Sequence, residues 1–282
     1  MALETIVKRE TRDTVLSRRF IIYLILLLLP LVLNIWFCWM MYEDPSILEQ
    51  MTAMFPEPLT EVNPTICLMS YIDIITFPIA LIAVLHSSDF IAGEKERGML
   101  TLLVSKPLHR WEIIMGKLFS SMIVFIPLLT LNFLIMALSL IFIGIGMPDL
   151  NILLGYLVVI LFYAIVYTSI AVLFSVLSKK SSMASLGTII FLILWMILDF
   201  LTIYLPKNVA DFLNNISLSN HINIVLGFIS GGEAGIFVKG GIPKDPDIGT
   251  FIYSFSVILF ILSIMPILLS IFIFERKDIQ NK

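Results

Sequence analysis

Long stretches of this chain run almost without charge. Apolar runs of about 20 residues or more lie at 20–41, 65–85, 113–143, 153–177, 183–205 and 251–274. As helix, each is long enough to cross roughly 30 Å of hydrocarbon. The runs are continuous and do not alternate, so they predict helices and not the strands of a barrel. Two are longer than a crossing needs, which predicts tilt or an overhang into the interface. Between the fourth and fifth runs only the turn SKKSS (178–182) intervenes, so these two helices form a tight hairpin. Residues 206–250 hold apolar positions too interrupted to span, followed by Gly231, Gly232, Gly235, Gly240, Gly241 and Pro243. Short interfacial or re-entrant helices fit them. The loop 42–64 carries four prolines and five acids and predicts an extended, solvated excursion.

Six spans place both termini on one side of the membrane, and the basic residues decide which. With the termini inside, 15 of the 18 Lys and Arg are cytoplasmic, and only Lys207, Lys239 and Lys244 face out. The acidic loop 42–64, which has no Lys or Arg, agrees. Residues 1–19 set Leu3, Ile6, Val7 and Val15 against Lys8, Arg9, Arg12 and Arg19, as an interfacial amphipathic helix does; an ordinary positive-inside anchor is the plainer alternative. No small-residue cleavage site follows, so the first run is expected to be retained.

Composition agrees with the pattern. Of 282 residues, 59% are apolar and 14% charged, with a mean hydropathy of +1.01. Soluble domains average about a quarter charged. The expected class is an all-α membrane protein with its lipid bilayer as solvent, in the plasma membrane, and with no nucleic-acid partner. The net charge of −3 adds nothing, because the charges sit in short blocks.

Chemistry-bearing residues are few. Asp73 and Asp199 are the acids placed inside spans, where charge is costly and often functional. Asp73, among Ser70, Tyr71 and Thr76, is the candidate for a translocation pathway; a neutral or capped acid in helix packing is the competing reading. Asp199 lies near Pro206 and reads as interfacial. His86 and Asp89 stand three apart, which suits a helix end-cap better than a titrating pair, and the three histidines have no metal-ligand spacing. Cys38 and Cys67 fall near the outer ends of the first two spans, where a single bridge or two free apolar thiols are both compatible with the spacing. No paired carboxylates or Ser-based constellation occupies the spans, so the chain is not expected to be an enzyme.

The segment 93–117, GEKERGMLTLLVSKPLHRWEIIMGK, is the most informative. Glu94, Lys95, Glu96 and Arg97 make a dense mixed-charge knot where a helix leaves the membrane, and Gly98 permits a break. Leu100, Leu102 and Leu103 begin an apolar element too short to cross, Ser105 closes it, and Pro107 suits the first turn of the next helix. A short helix at 93–112, held along the membrane surface, is what a soluble partner needs to push against; a plain solvated loop is the alternative. The order of residues here resembles the coupling-helix region of ABC-2 type permeases, a family that includes multi-copper-enzyme maturation, sodium and drug efflux systems. Met99 departs from the Thr common in that family. The resemblance implies an ABC-2 (type V exporter-like) transmembrane domain. It also implies a second permease copy or paralogue, and two ATP-binding subunits docked around Glu94, Lys95, Glu96, Arg97, Gly98, Leu100, Leu103, Ser105 and Pro107. No G-x-x-x-x-G-K-[ST] pattern occurs, so ATP and Mg would bind in the partner. A membrane scaffold or sensor whose ATPase partner drives assembly or maturation of another protein is the second function class.

Overall fold

The computed structural model describes residues 2–52, 62–98, 109–202, 204–230 and 247–276. Among them there is no strand, and six helices are long and apolar enough to span a membrane. The first helix, α1 (Ala2–Val15), is followed by α2 (Arg18–Glu43), α3 (Pro45–Thr52), α4 (Pro64–Ser87) and α5 (Asp89–Glu96). After the segment 99–108 come α6 (Arg110–Ile143), α7 (Leu150–Leu177), α8 (Ser181–Leu201), α9 (Lys207–Asn214) and α10 (Leu218–Ile229). The last span is composite: α11 (Ile248–Ser256), a π-helical stretch Val257–Ile264 and α12 (Met265–Arg276).

The spans form because each segment satisfies its backbone internally and has polar devices at its ends. At the start of α4, Asn63 Oδ1 accepts from Thr65 N at 2.9 Å and Pro64 fills the first turn, where its missing N–H costs nothing. At the start of α6, His109 N donates to Glu112 Oε2 at 3.1 Å. Helix α4 is central, with 61% of its apolar window buried, whereas α8 lies at the periphery with 11%. It packs on α2 and α7, and α6 closes the core through the buried Phe133, Met136 and Leu140.

Two parts of the sequence reading differ from the structure. The excursion after residue 42 begins with helix α3 and not with extended chain. Asp44 Oδ1 accepts from Ser46 N at 3.1 Å and from Ser46 Oγ at 2.6 Å, and Pro45 occupies the first turn, so the proline that argued against helix starts one. The fifth span stops at Leu201, short of the expected 205, and the chain turns at Thr202 into α9. The expected short helices of 206–250 are present as α9 and α10; residues 231–246 lie outside the described set.

Polar groups inside the bundle tie helices together. Asn34 Nδ2 on α2 donates to Ser70 Oγ on α4 at 2.8 Å. Tyr71 on α4 donates to Asn132 Oδ1 on α6, and Asn132 Nδ2 donates to Leu27 O on α2 at 3.2 Å. Away from water such bonds have few competitors, so they fix register. About one turn beyond the Asn34–Ser70 bond, Cys38 and Cys67 are buried free thiols, and Cys38 Sγ donates to Asn34 Oδ1 at 3.6 Å.

Close approach of α10 to α7 depends on Gly155, where a Cβ would meet Ile229 Cγ2 at 2.5 Å. Gly155→Leu is expected to overpack this contact and cost about 2 kcal/mol. Thermal melting of the purified chain checks this, with Ile229→Ala expected to recover part of the loss. An unchanged melt would show that the two helices are not held at this distance.

Candidate functional site

At the end of the bundle where α1 and the last turn of α12 lie, α4 breaks at Ser88 and re-forms as α5. The break is held by one hydroxyl. Ser175 Oγ on α7 accepts from Ile91 N at 3.0 Å and Ala92 N at 3.1 Å, and donates to Ser88 O at 2.8 Å. Both partners of this joint are fully buried or nearly so.

From this joint the charged residues fan out, each to a different neighbour. Glu94 Oε1 meets Lys117 Nζ of α6 at 2.8 Å, and the same ammonium meets Glu10 Oε1 of α1 at 3.0 Å. Lys117 is 5% exposed and lies over the Phe90 ring, 5.4 Å from its centroid. Lys95 Nζ donates to Val176 O at 2.7 Å and Ser178 O at 3.1 Å, carbonyls at the negative end of α7. Glu96 Oε2 accepts from Ser181 N at 3.0 Å, at the positive start of α8. Arg97 stands 3.7 Å from Asp89, whose carboxylate also takes Arg19 at 2.6 Å and the Ser181 hydroxyl. Gly98 then turns the chain with φ +68°, a left-handed conformation that glycine adopts without strain. Helix α1 is drawn onto α6 through Lys117 and through Ile6, which sits where Gly116 has no side chain.

Of the segment 93–112, residues 99–108, with Leu100, Leu103, Ser105 and Pro107, lie outside the described set. His86 and Asp89 do not pair. His86 Nδ1 is 3.5 Å from the Tyr23 hydroxyl, in a cage of Tyr23, Phe90 and Phe125 rings, while Asp89 faces Arg19 and Arg97.

A second feature lies deeper. A cavity of about 450 Å³ opens among α4, α7, α8 and the α9–α10 corner. Asp73 lines it from α4 together with Thr76 and Phe77, next to Pro78, whose ring removes the N–H that the Ile74 carbonyl would otherwise receive. Tyr163 and Tyr167 line the α7 wall, stacked with centroids 5.8 Å apart. Trp195 stands on α8, and Asn214, Asn220 and Asn223 form the polar corner. There Asn220 Nδ2 donates to Asn214 O at 3.0 Å, and Asn220 N donates to Ser217 Oγ at 3.2 Å, which caps α10. Asp199 lies on α8. Among the described residues no group of three or more His, Cys, Asp or Glu is placed to hold a metal.

The model of the ABC-2 family transporter proteins matches residues 4–279, nearly the whole chain. The chain belongs to that family. A comparison with curated proteins gives no match. Family membership makes this ABC-2 chain a multi-pass permease subunit of an ABC transporter, a class that works with an ATP-binding subunit. In this ABC-2 chain the sequence singled out the charged knot but could not show its partners. Lys117 lies over twenty positions beyond Glu94 and Ser175 over eighty beyond Ser88, and nothing local marks either. The Asn-rich corner of the cavity was equally hidden, because its asparagines sit in a segment that reads as short interfacial or re-entrant helices, with nothing to say which spans they meet.

Proposed function

We propose that the chain is the membrane half of an ATP-driven exporter. In this reading two ATP-binding subunits, which bind ATP and Mg, dock against residues 93–112, and a second copy or paralogue of the chain completes the membrane domain. The termini face the cytoplasm of the plasma membrane, as the distribution of Lys and Arg supports. The cavity at Asp73 belongs to the translocation route. One observation carries the reading: Glu94, Lys95, Glu96 and Arg97 are bonded to α6, the end of α7, the start of α8 and Asp89 in turn. A push on the adjoining segment therefore reaches three spans at once. Packed elements move as bodies, so docking and release at this point would rock helices rather than bend a loop.

Affinity purification of the tagged chain from gentle detergent tests it. An ATP-binding subunit is expected to co-purify with the wild type and to be lost from the double variant Glu96→Lys, Arg97→Glu, whose side chains face solvent enough for the bundle to survive reversal. No ATP-binding subunit with a folded wild-type chain would refute the transporter reading in favour of a scaffold. Undiminished co-purification with the double variant would move the docking site elsewhere.

A further inference from the structure

The bend between α1 and α2 carries two cations that the fold itself does not use. On α1, Ile6 and Glu10 face α6, and Arg12 points away from it, about 200° around the helix from Glu10. The neighbouring charges are paired. Asp13 takes Arg9 at 3.7 Å, Glu10 takes Lys117 at 3.0 Å, and Asp89 takes Arg19 at 2.6 Å and Arg97 at 3.7 Å. Lys8, one turn further from the bend, has Glu4 one turn away to balance it. Among the described residues no acid lies within ion-pair distance of Arg12 or Arg18, and both side chains are exposed. Apolar side chains are exposed beside them: Leu16, at the bend itself, by 73%, and Val15 next to it.

Helix α2 sets the level of this bend in the bilayer. Arg18, Ile22, Ile25, Leu29, Val32 and Trp36 recur at helical spacing and are all exposed, so they form one outward stripe. Trp36 stands about five turns, or 27 Å, along the axis from Arg18, close to the thickness of the hydrocarbon. Trp36 therefore marks one interface and Arg18 the other, at the depth of the headgroups. Arg12 lies one turn before Leu16, and its guanidinium reaches the same depth on a flexible stem while Val15 and Leu16 dip into the tails. Guanidinium groups match phosphate oxygens in pairs. Two of them without a counter-ion favour a headgroup of net negative charge, whereas a zwitterionic headgroup brings an ammonium of its own. From these features we infer that the bend binds one anionic phospholipid, its headgroup held by Arg12 and Arg18 and its acyl chains against Leu16 and the α2 stripe. Lipid held there pins α1, whose Glu10 completes the charge group around Lys117. The inference goes beyond the permease reading and takes from it only the cytoplasmic leaflet as the source of the lipid.

The test titrates the purified full chain in detergent with dioleoyl phosphatidylglycerol or dioleoyl phosphatidylcholine and counts bound lipid by native mass spectrometry. The wild type is expected to retain one phosphatidylglycerol in preference to phosphatidylcholine. Arg12→Gln and Arg18→Gln are each expected to weaken phosphatidylglycerol about fivefold, and the double variant about twentyfold, as one cation after the other leaves the headgroup. Phosphatidylcholine binding should hardly change. The control is Lys179→Gln with Lys180→Gln, which removes the same charge from exposed positions in the turn between α7 and α8 and should leave phosphatidylglycerol binding within twofold. All four positions are exposed, so the variants are expected to fold, as elution and melting show; if the double variant does not, the single ones decide. Equal retention of the two lipids by the wild type, phosphatidylglycerol binding unchanged in the arginine variants, or an equal loss in the lysine control would each overturn the inference, the last by assigning the attraction to diffuse surface charge. Selective lipid binding without any co-purifying ATP-binding subunit would keep the site and refute the transporter reading, and the reverse result would refute the site alone.

Discussion

Replacing Lys117 with alanine is expected to destabilise the chain by about 3 kcal/mol, because one ammonium pairs with two carboxylates on two other elements. Glu94 and Glu10 approach it at 2.8 and 3.0 Å, with the lysine itself 5% exposed. Water does not reach the site freely enough to replace it. Removing one member of a buried ionic group leaves the others charged and unpaired, which costs more than the group contributes as a whole. The two glutamates would then repel, and α1 would lose its charged hold on α6 while keeping the Thr11–Ser120 hydrogen bond at 3.4 Å and the contact of Ile6 at Gly116. Two measurements follow. The melting temperature should fall, and trypsin should cut at Arg9 and Arg12 of α1 faster than in the wild type. The double variant Lys117→Met, Glu94→Gln should regain most of the stability, since it removes charge from both sides. A Lys117→Ala chain that melts like the wild type would show that the three charges are not held together.

Ser175→Ala is the second large effect. The hydroxyl uses its full capacity, accepting from Ile91 N and Ala92 N and donating to Ser88 O, at a point with no access to water. Alanine fits the space but leaves buried backbone groups facing a methyl, and a loss of about 2 kcal/mol is expected. The loss should be local. Hydrogen exchange at Ile91 and Ala92 should rise well above that of the mid-span amides of α4, and the joint between α4 and α5 should loosen before the bundle melts. Exchange at these two amides equal to the wild type would remove Ser175 from its role as the clasp.

How much of this was legible beforehand follows from what each feature depends on. The six spans depend on composition over twenty residues, and apolar runs of that length have one outcome in a membrane. Their ends were less legible. Pro45 was counted as a breaker although it stands at a helix start, where Asp44 makes a turn for it. The fifth span was read to 205, yet α8 ends at Leu201 and the chain has already turned at Thr202. The charge knot at Glu94–Arg97 was visible as composition, but its meaning depends on Lys117, Val176 and Ser181, contacts that no local pattern encodes. Asp73 stood out because an acid in an apolar run is costly. The other side of its cavity, the asparagines of α9 and α10, was invisible until those helices were folded back over α4 and α7. The loosened winding in the last span carries no sequence signal beyond the neighbouring Pro266.

That winding has a mechanical meaning. Over Val257–Ile264 the helix takes one residue more per closed ring than its flanks, with Ser263 Oγ donating to Ile258 O at 2.9 Å inside the wide turn. From outside, Ser169 Oγ of α7, which donates to Val166 O in its own helix at 2.7 Å, lies 3.3 Å from Leu262 O. Such a turn is a screw joint: tightening it by one residue would rotate α12 by about 100° and slide it about 1.5 Å along its axis without unravelling it. At the far end of α12, Arg110 Nη1 grips Phe274 O at 3.0 Å and Glu275 O at 2.9 Å. The thread therefore ends on the first turn of α6, so that torque on the last span and torque on the start of the third are the same motion.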